Sequence, residues 1–533
     1  MRAGTIKFIL LINCAIGVLA AFLISAGFSS DRVGCIAPKD SALLTADRRY
    51  AAEDAFSGTL CINGAEAPYD ENTKTYYVPQ SLKTAGYDCE LTWRGLNERA
   101  HLIADAEFSN KESAIASGER FRLVLVDDNR YAERGVVFTG LPMCVIRNRT
   151  DLAQLTLEEE ERAGSIAVFD PDGGGAGRYT VTETLIRYAP RGNTSREFDK
   201  PQYTVHFVRS NGKAQSLALL GLRRMDRLYF NSMYADETKV RDRLAMRVWE
   251  TLCAASAGRG NSETSGFEYT EVVEDGAYTG LYGLMDQLGQ DGSAYRTAEG
   301  GVVYKLRSSP LRELDENGVY TPYPTRTSCL TSKIVFQPPA SAPVWAPISD
   351  YATALYARFD TAKAEDVHQR VLLTNMIDYS IYIQVTANGD TGFLNAFLYA
   401  EPDGQGGYRM HKLPWDLDCT FGKAHNFDCR THFDFASVDY EQPEIAILLR
   451  DEPEETGALL AERYFTLRED VYSERALISL LKETGLPLTE SGALARDAAR
   501  WPECGNTADV TDIEAFIRLR LEYLDAYYAG MVK

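Results

Sequence analysis

Two apolar patterns divide the chain and decide its fold class. From Gly58 to about Asp127, short alternating segments such as "KTYYVP" and "RFRLVLV" are separated by Gly, Asn and Asp, which is typical of antiparallel strands. Later, apolar residues recur at every fourth position from Val240 to Leu252, the spacing of one helix face. Amphipathic helices are predicted from about Glu444 to the end. The sequence therefore predicts an α+β fold.

An uncharged apolar stretch of 21 residues, from Phe8 to Phe28, follows Arg2 and Lys7. A helix of roughly 20 apolar residues spans a bilayer. Basic residues on the short N-terminal side predict that this end stays inside and the rest lies outside. We expect an uncleaved signal anchor and a membrane-anchored extracytoplasmic domain. A cleaved signal, which would give a secreted protein, stays open.

Length and charge bound the remaining organisation. The 533 residues provide for several domains. We expect a signal anchor over residues 1–29 and a polar juxtamembrane segment with a short helix over residues 30–57. A small β-rich domain over residues 58–135 and a mixed domain with C-terminal helices over residues 136–533 are expected to follow. The formal net charge of −20 argues against a nucleic-acid partner and is compatible with a basic protein partner.

Cysteine usage is consistent with export, because nine of the ten cysteines follow the apolar stretch and none forms a CxxC pair. Cys61–Cys89 and Cys419–Cys429 are predicted as candidate disulfides, while the sequence leaves the connectivity open. Because nine is odd, at least one thiol stays unpaired, and the candidate is Cys253 on the apolar face of a predicted helix.

A second interpretation of the Cys419 region stays open. Cys419, His425, Cys429 and His432 lie within 14 residues and could form a Cys₂His₂ zinc site. The spacing is not that of a standard zinc finger, and an oxidising compartment favours the disulfide.

Turn residues predict several connections. Gly173–Gly177 could be a phosphate loop, but it follows Asp-Pro-Asp between two strands, so we expect a hairpin tip. Asp275-Gly276 predicts a second hairpin. Residues 364–387 are predicted to form one long helix, and residues 310–350, rich in Pro and Thr, a long connection.

The chemistry is concentrated between Asn388 and Gly422. Asp390 is followed five residues later by Asn395, then by a predicted hairpin around "DGQGG", then by "WDLDCTFG". Protein kinases place a loop Asp, an Asn five positions on, a hairpin and a metal-binding Asp in the same order. Spacing alone also permits Asp390 and Asn395 to be ordinary turn residues.

Further segments resemble one family. "RGNTSREFDKPQYTVHF" resembles an R-G-N-x-S segment followed by Lys-Pro and a strand, and "KVRDRLAMRVW" an "RdkLa" helix. Three later motifs of the same family are resembled in the same order. The segments are "DGAYTGLYGLMDQL", then "VVYKL", then "TGFLNAFLYAEPDG" with "YRMHKLPWDLDCTFG". On these motifs the chain is identified as a member of the CotH (spore-coat protein H) kinase family, over roughly residues 140–530.

The resemblance implies a bilobal, atypical protein-kinase-like domain that uses ATP and Mg²⁺, with Mn²⁺ as a substitute. The implied reaction is phosphorylation of Ser or Thr in a spore-coat or bacterial surface protein, for which a Ser-rich basic segment is the expected substrate. Asp390 would be the catalytic base, Asn395 and Asp416 metal ligands, and Asp418 a supporting or sharing ligand. The implied nucleotide-phosphate contacts are Arg191, Asn193, Lys200 and Lys305.

Departures from the family pattern leave a second function open. Asp286 stands where the family usually has Glu, and Asp242 where Asn is common. Thr204 and His206 stand where basic residues are frequent. ATP is also scarce outside the membrane. The alternative is a catalytically weak or inactive kinase-fold surface protein that acts as a binding or structural module.

Overall fold

The computed structural model describes most of the chain. The described residues are 34–35, 51–52, 58–85, 89–95, 101–104, 111–127, 130–152, 157–158, 160–192, 194–261, 265–286, 300–306, 332–336, 344–357, 359–388, 395–423, 434 and 442–532. The predicted anchor, Asn193, Asp390 and Cys429 lie outside them. None of the helices in these ranges combines the length and apolar character needed to cross a bilayer.

The described part is α+β, as predicted, with twenty-one strands and ten α-helices. The strands are β1 (Gly34–Cys35), β2 (Ala51–Ala52), β3 (Thr59–Ile62), β4 (Ala65–Glu66), β5 (Tyr69–Asp70), β6 (Thr75–Pro79), β7 (Leu91–Arg94), β8 (His101–Ala104), β9 (Arg120–Asp127), β10 (Arg130–Thr139), β11 (Met143–Asn148), β12 (Arg162–Asp170), β13 (Thr180–Pro190), β14 (Tyr203–Val208), β15 (Arg227–Asn231), β16 (Phe267–Glu274), β17 (Ala277–Asp286), β18 (Val302–Leu306), β19 (Ser332–Phe336), β20 (Ala396–Pro402) and β21 (Tyr408–Pro414). The helices are α1 (Lys111–Ser117), α2 (Arg241–Ala255), α3 (Ala346–Tyr351), α4 (Ala364–Arg370), α5 (Leu373–Thr386), α6 (Pro443–Asp451), α7 (Pro453–Arg468), α8 (Glu474–Glu490), α9 (Ala493–Arg500) and α10 (Thr511–Gly530).

The chain forms two compact units. The first comprises Met1–Tyr234, Phe267–Asp286 and Leu486–Asn506. The second comprises Ala235–Gly266, Gln287–Gly485 and Thr507–Lys533.

The first unit contains three sheets. One has the order β1-β8-β9-β10-β6-β5, with β2 paired to β10, and a small one has the order β4-β3-β7. The third is a closed barrel with the order β11-β12-β13-β14-β15-β17-β16. Closure pairs every strand of the barrel with two neighbours, so the barrel has no edge strand.

One apolar core joins the β-rich region to the barrel. Leu60, Phe121 and Val136 pack in the same buried cluster as Val145 and Phe169 of the barrel strands. The predicted domain boundary at residue 135 falls inside β10. Residues 58–135 and the barrel therefore share buried apolar surface within one unit.

The predicted hairpins of the barrel are confirmed. Gly173–Gly177 lies in the turn between the antiparallel strands β12 and β13, so it is a hairpin tip. The Asp170 carboxylate accepts hydrogen bonds from the backbone N–H groups of Asp172 and Gly174 in this turn. Asp275-Gly276 connects β16 and β17, with φ of 46° and 75°, as a two-residue hairpin turn requires.

The Cys61–Cys89 disulfide prediction is wrong. Cys61 has a free, buried thiol, and its Sγ lies 3.9 Å from the Thr59 carbonyl oxygen. Cys89 Sγ lies 3.0 Å from Gln80 Nε2. Burial raises the pKa of the Cys61 thiol, which disfavours the thiolate needed for disulfide exchange. In the second unit, Cys253 lies in α2 and is half-buried.

The second unit combines a sheet, in the order β19-β18-β20-β21, with most of the helices. The predicted helix over the Val240 stripe is confirmed as α2. Its Trp249 is fully buried and contacts Tyr382 of α5 edge-on, with 5.0 Å between ring centroids. Such aromatic pairs contribute about 0.5–1.5 kcal/mol beyond burial.

The single long helix predicted for residues 364–387 is wrong, because the structure has two helices, α4 and α5. Val371 between them is extended and forms a parallel bridge with Met410 of β21. The Leu372 N–H donates to the Met410 carbonyl at 3.0 Å. A neighbouring strand therefore replaces the helical hydrogen bonds at this point.

Two other predicted connections contain regular structure. The 310–350 stretch includes β19 and most of α3 among its described residues. The 30–57 stretch includes the two-residue strands β1 and β2. The amphipathic C-terminal helices are confirmed as α6 to α10.

Candidate functional site

The base of the β20–β21 hairpin brings together two predicted metal ligands. Ala396 pairs with Pro414, and the Trp415 N–H donates to the Asn395 carbonyl oxygen at 3.0 Å. Asn395 therefore directly precedes β20. Asp416 directly follows Trp415, whose N–H is hydrogen-bonded to Asn395. The predicted turn at "DGQGG" closes the opposite end, where Asp403 Oδ1 accepts from the Gln405 and Gly407 N–H groups.

Both residues have left-handed backbone conformations. The φ angle is 54° at Asn395 and 61° at Asp416. Asn and Asp tolerate this region better than most other residues, at a cost of about 1–2 kcal/mol. The two conformations turn the chain away from the sheet at neighbouring points. Left-handed residues of this kind are often found where side chains must be aimed for function.

Helix α5 leads directly toward this base. It is almost wholly buried and ends at Thr386, where Ala387 is a left-handed C-cap with φ of 49°. The Asn388 N–H donates to the Ile383 carbonyl at 3.2 Å. Asp390 follows two residues later and lies outside the described residues.

The segment after Asp416 returns to α5. The Phe421 N–H donates to the Thr386 carbonyl at 2.8 Å. The Leu417 N–H donates to Oδ1 of Asp242, in the first turn of α2, at 3.4 Å. Hydrogen bonds therefore connect the end of α5, the segment containing Asp416 and the start of α2.

Lys305 provides a cation on the same sheet. It lies on β18 and pairs with Phe397 of β20. Its Nζ is 4.5 Å from the Trp415 ring centroid and 5.9 Å from that of Phe397. Cation–π attraction fixes the half-buried lysine above the residue that precedes Asp416.

The donor atoms available at the hairpin base suit a hard divalent cation. Asn395, Asp416 and Asp418 are all half-buried and have amide or carboxylate oxygens, the ligands that Mg²⁺ prefers. Among the described residues, no group of three or more His, Cys, Asp and Glu side chains forms a metal-binding cluster. The donor chemistry of these three residues fits Mg²⁺, and the predicted base Asp390 lies outside the described residues.

Lys200, a predicted phosphate contact, is fully buried in the first unit. Its Nζ forms an ion pair with Asp497 Oδ1 at 2.7 Å and donates to the Leu281 carbonyl. It also lies 4.8 Å from the Tyr282 ring centroid. Asp497 further accepts from the Leu281 N–H at 2.8 Å and from Asn506 Nδ2 at 2.8 Å.

Arg191 is half-buried in the same unit. Its guanidinium lies 4.5 Å from the Tyr229 ring centroid and donates to Gln202 Oε1 at 3.2 Å. Gly192 beside it is exposed and has φ of 105°. The phosphate roles of Arg191, Asn193 and Lys200 stay predictions.

Asp286, the shorter residue at a position where Glu was expected, is fully buried. Its Oδ2 accepts from Arg223 Nε at 3.0 Å, and its Oδ1 accepts from Arg223 Nη2. The carboxylate is thus part of a two-point pair with an arginine of the same unit.

A buried ion pair next to the hairpin base was not predicted from the sequence. Lys412 Nζ of β21 lies 2.9 Å from Glu444 Oε2, and each side chain is 1% exposed. Glu444 also accepts hydrogen bonds from the Tyr351 and Tyr356 hydroxyls, and burial together with the Glu444 charge raises the pKa of both tyrosines. A lysine among the apolar residues of "YRMHKLP" was the available signal.

These elements define an α+β protein in which the buried helix α5 precedes a β-hairpin with Asn395 and Asp416 at its base. A family model described as CotH kinase protein matches residues 188–524, more than half of the chain. The chain belongs to the CotH kinase family. A comparison with curated proteins found no match.

Proposed function

We propose that the protein is a Mg-ATP-dependent protein kinase that transfers the γ-phosphate of ATP to Ser or Thr of a surface or coat protein. The observation that carries the proposal is the hydrogen bond from the Trp415 N–H to the Asn395 carbonyl at 3.0 Å. It holds Asn395 and Asp416 at neighbouring positions of the hairpin base. Membership of the CotH kinase family supports the same reaction class.

In this proposal Asp390 is the catalytic base, which orients the substrate hydroxyl and accepts its proton as the phosphate is transferred. Asn395 and Asp416 hold the metal, and Asp418 supports or shares it. The bound Mg²⁺, or Mn²⁺ in its place, would offset the charge that develops on the phosphates. Lys305 would contact a nucleotide phosphate, since its charge is fixed over Trp415.

The experiment is transfer of labelled phosphate from ATP, with Mg²⁺ or Mn²⁺, to the protein itself and to a Ser-rich basic peptide. Asp390→Ala and Asp416→Ala should each reduce transfer by at least about a hundredfold, because each removes a group required in the transition state. Absence of both transfer and nucleotide binding in the folded wild type would favour a binding or structural module instead.

A matched control lies at the other end of the same hairpin. Asp403→Asn keeps a side-chain oxygen that accepts from the Gln405 and Gly407 N–H groups. It changes a charge on the hairpin without touching its base, so transfer should stay at the wild-type level. Equal losses in Asp403→Asn and Asp416→Ala would contradict a specific role for Asp416.

We also propose that the protein acts outside the cytoplasm, attached through the apolar stretch from Phe8 to Phe28. Fractionation of cells that express the full chain should recover it with the membrane. Recovery of a shortened chain in the medium would assign the stretch to a cleaved signal instead.

A further inference from the structure

Helix α5 has an unusual C-terminal contact within the second unit. Arg520 of α10 is 1% exposed, and its Nε donates to the Gln384 carbonyl at 2.7 Å. Its Nη2 donates to Oε1 of the same residue at 2.9 Å. One guanidinium thus holds both the main chain and the side chain of Gln384, in the last turn of α5.

The contact adds a second donor at the carbonyl end of α5, where a helix has few hydrogen-bond partners of its own. The last four carbonyls of an α-helix have no partner within the helix. In α5, Ile383 O accepts from the Asn388 N–H, and Thr386 O accepts from the Phe421 N–H. Gln384 O accepts from the Ala387 N–H at 3.2 Å and, in addition, from Arg520. A cation at this end also interacts favourably with the helix dipole.

Burying the guanidinium has an energetic cost. Burial lowers the pKa of Arg520 to about 10, while nearby Tyr528, Tyr523, Tyr464 and Asp434 act in the opposite direction. The side chain stays charged at neutral pH, and its charge is directed at the carbonyl end of α5. Desolvation of this kind is offset only where the hydrogen-bond geometry is good.

We infer that Arg520 is a positioning residue for the segment that contains Asp390. The inference rests on the proposed function. Gln384 precedes Asp390 by six residues, and Ala387 and Asn388 connect the fixed helix end to it. The Phe421 hydrogen bond fixes the same helix end to the segment that begins at Asp416. Arg520 therefore fixes the helix end from which the segment with Asp390 begins. The same helix end is hydrogen-bonded to the segment with the proposed metal ligand Asp416.

The test compares two identical substitutions on α10 of the full chain. Arg520→Lys keeps the charge but loses the planar guanidinium that donates to two atoms at once. Arg518→Lys is the matched control, because Arg518 is half-exposed and pairs with Glu474 and Glu514. Amide hydrogen exchange over residues 383–395 and phosphate-transfer kinetics are measured for both variants.

We expect Arg520→Lys to speed exchange of the Ala387 and Asn388 amides by about tenfold, while exchange in the barrel strands stays unchanged. We expect kcat to fall between about tenfold and a hundredfold, with the KM for ATP unchanged, because the base is misplaced and nucleotide contacts are kept. Arg518→Lys should match the wild type in both measurements.

Unchanged exchange at these amides would overturn the inference whatever the activity. Faster exchange with a wild-type kcat would reduce Arg520 to a structural residue and would also overturn it. If the wild type transfers no phosphate, the proposed function fails, and the exchange measurement still decides whether Arg520 fixes the helix end.

Discussion

The ammonium of Lys200 lies 2.7 Å from the carboxylate of Asp497, and neither side chain is exposed to solvent. The two residues are separated by 297 positions in the chain. Each therefore depends on the other to offset the cost of burying a charge.

Lys200→Met leaves the Asp497 carboxylate buried without its cation and should destabilise the first unit by about 3–5 kcal/mol. The double variant Lys200→Met/Asp497→Leu removes both charges. Its loss of unfolding free energy should be smaller than the sum of the losses in the two single variants. The denaturation midpoints of the wild type, the single variants and the double variant together form a double-mutant cycle. Additive losses would show that the pair is not coupled. Lost ATP binding in a Lys200→Arg variant of wild-type stability would assign a phosphate contact instead.

Gly280 lies against the same carboxylate. It has φ of 106°, and a Cβ atom there would overlap Asp497 Oδ1 and approach Trp501 Nε1 to 3.1 Å. Gly280→Ala should therefore strain the backbone and also displace the Asp497 carboxylate. Both effects should lower the thermal unfolding midpoint strongly. Gly175→Ala is the control, since Gly175 has φ of 91° and nothing within 4 Å of the added Cβ. The control should cost only about 1–2 kcal/mol. Similar midpoints for the two variants would show that the Asp497 contact is not limiting.

The contacts of Asp236 are expected to make the stability of the second unit sensitive to acid. Its Oδ2 accepts from the Arg241 N–H at 2.9 Å, at the first residue of α2. Burial opposes ionisation, but the Arg241 charge, this N–H and the Thr238 hydroxyl together lower the pKa of Asp236. An unfolded Asp has a pKa of about 3.9. The stabilisation is therefore complete above about pH 4 and is lost as the pH falls through the lower pKa of the folded state.

Asp236→Asn should lower stability at pH 7 by about 3 kcal/mol, because the buried Arg241 loses its anion. The wild-type and variant unfolding midpoints should converge as the pH falls from 4 to 2. Asp509→Asn is the control, since Asp509 caps the start of α10 in a similar way but is fully exposed. A wild-type advantage that persists unchanged at pH 2 would contradict the assignment.

Local patterns predicted those parts of the fold that depend on neighbouring residues in sequence. The hairpin turn at Asp275-Gly276 needs two adjacent residues with positive φ, and the α2 stripe needs only helical spacing. The hairpin around Asp403 likewise placed Asn395 and Asp416 at its base. The neighbouring positions of Asn395 and Asp416 could therefore be predicted from the order of residues, and their roles stay predictions.

Other features depend on partners that no local pattern shows. The break at Val371 requires the Met410 strand beside it. The burial of Lys200 requires Asp497, and the thiol of Cys61 is buried within β3. Asp242 departs from the family pattern, in which Asn is common at this position. Its hydrogen bond to Leu417 is visible only in the folded chain.

That hydrogen bond gives a test of the metal site. Asp242 is 4% exposed, and its Oδ1 accepts from the N–H of the residue that follows Asp416. Asp242→Ala removes the acceptor and leaves the Leu417 N–H buried without it, so the Asp416 carboxylate should lose its fixed direction. Groups that orient metal ligands change metal affinity by about tenfold to a hundredfold when removed. The Mg²⁺ concentration for half-maximal phosphate transfer should rise by about that factor.

Asp242→Asn separates the hydrogen bond from the charge. Its amide oxygen still accepts from the Leu417 N–H, and Asn is the residue that the family pattern favours here. The Asn variant should therefore keep the wild-type Mg²⁺ requirement, while the Ala variant should not. If both variants need the same raised concentration, the negative charge of Asp242, rather than its hold on Leu417, supports the metal. If neither differs from the wild type, the start of α2 does not fix the Asp416 segment, and α5 is then its main support through the Phe421 hydrogen bond.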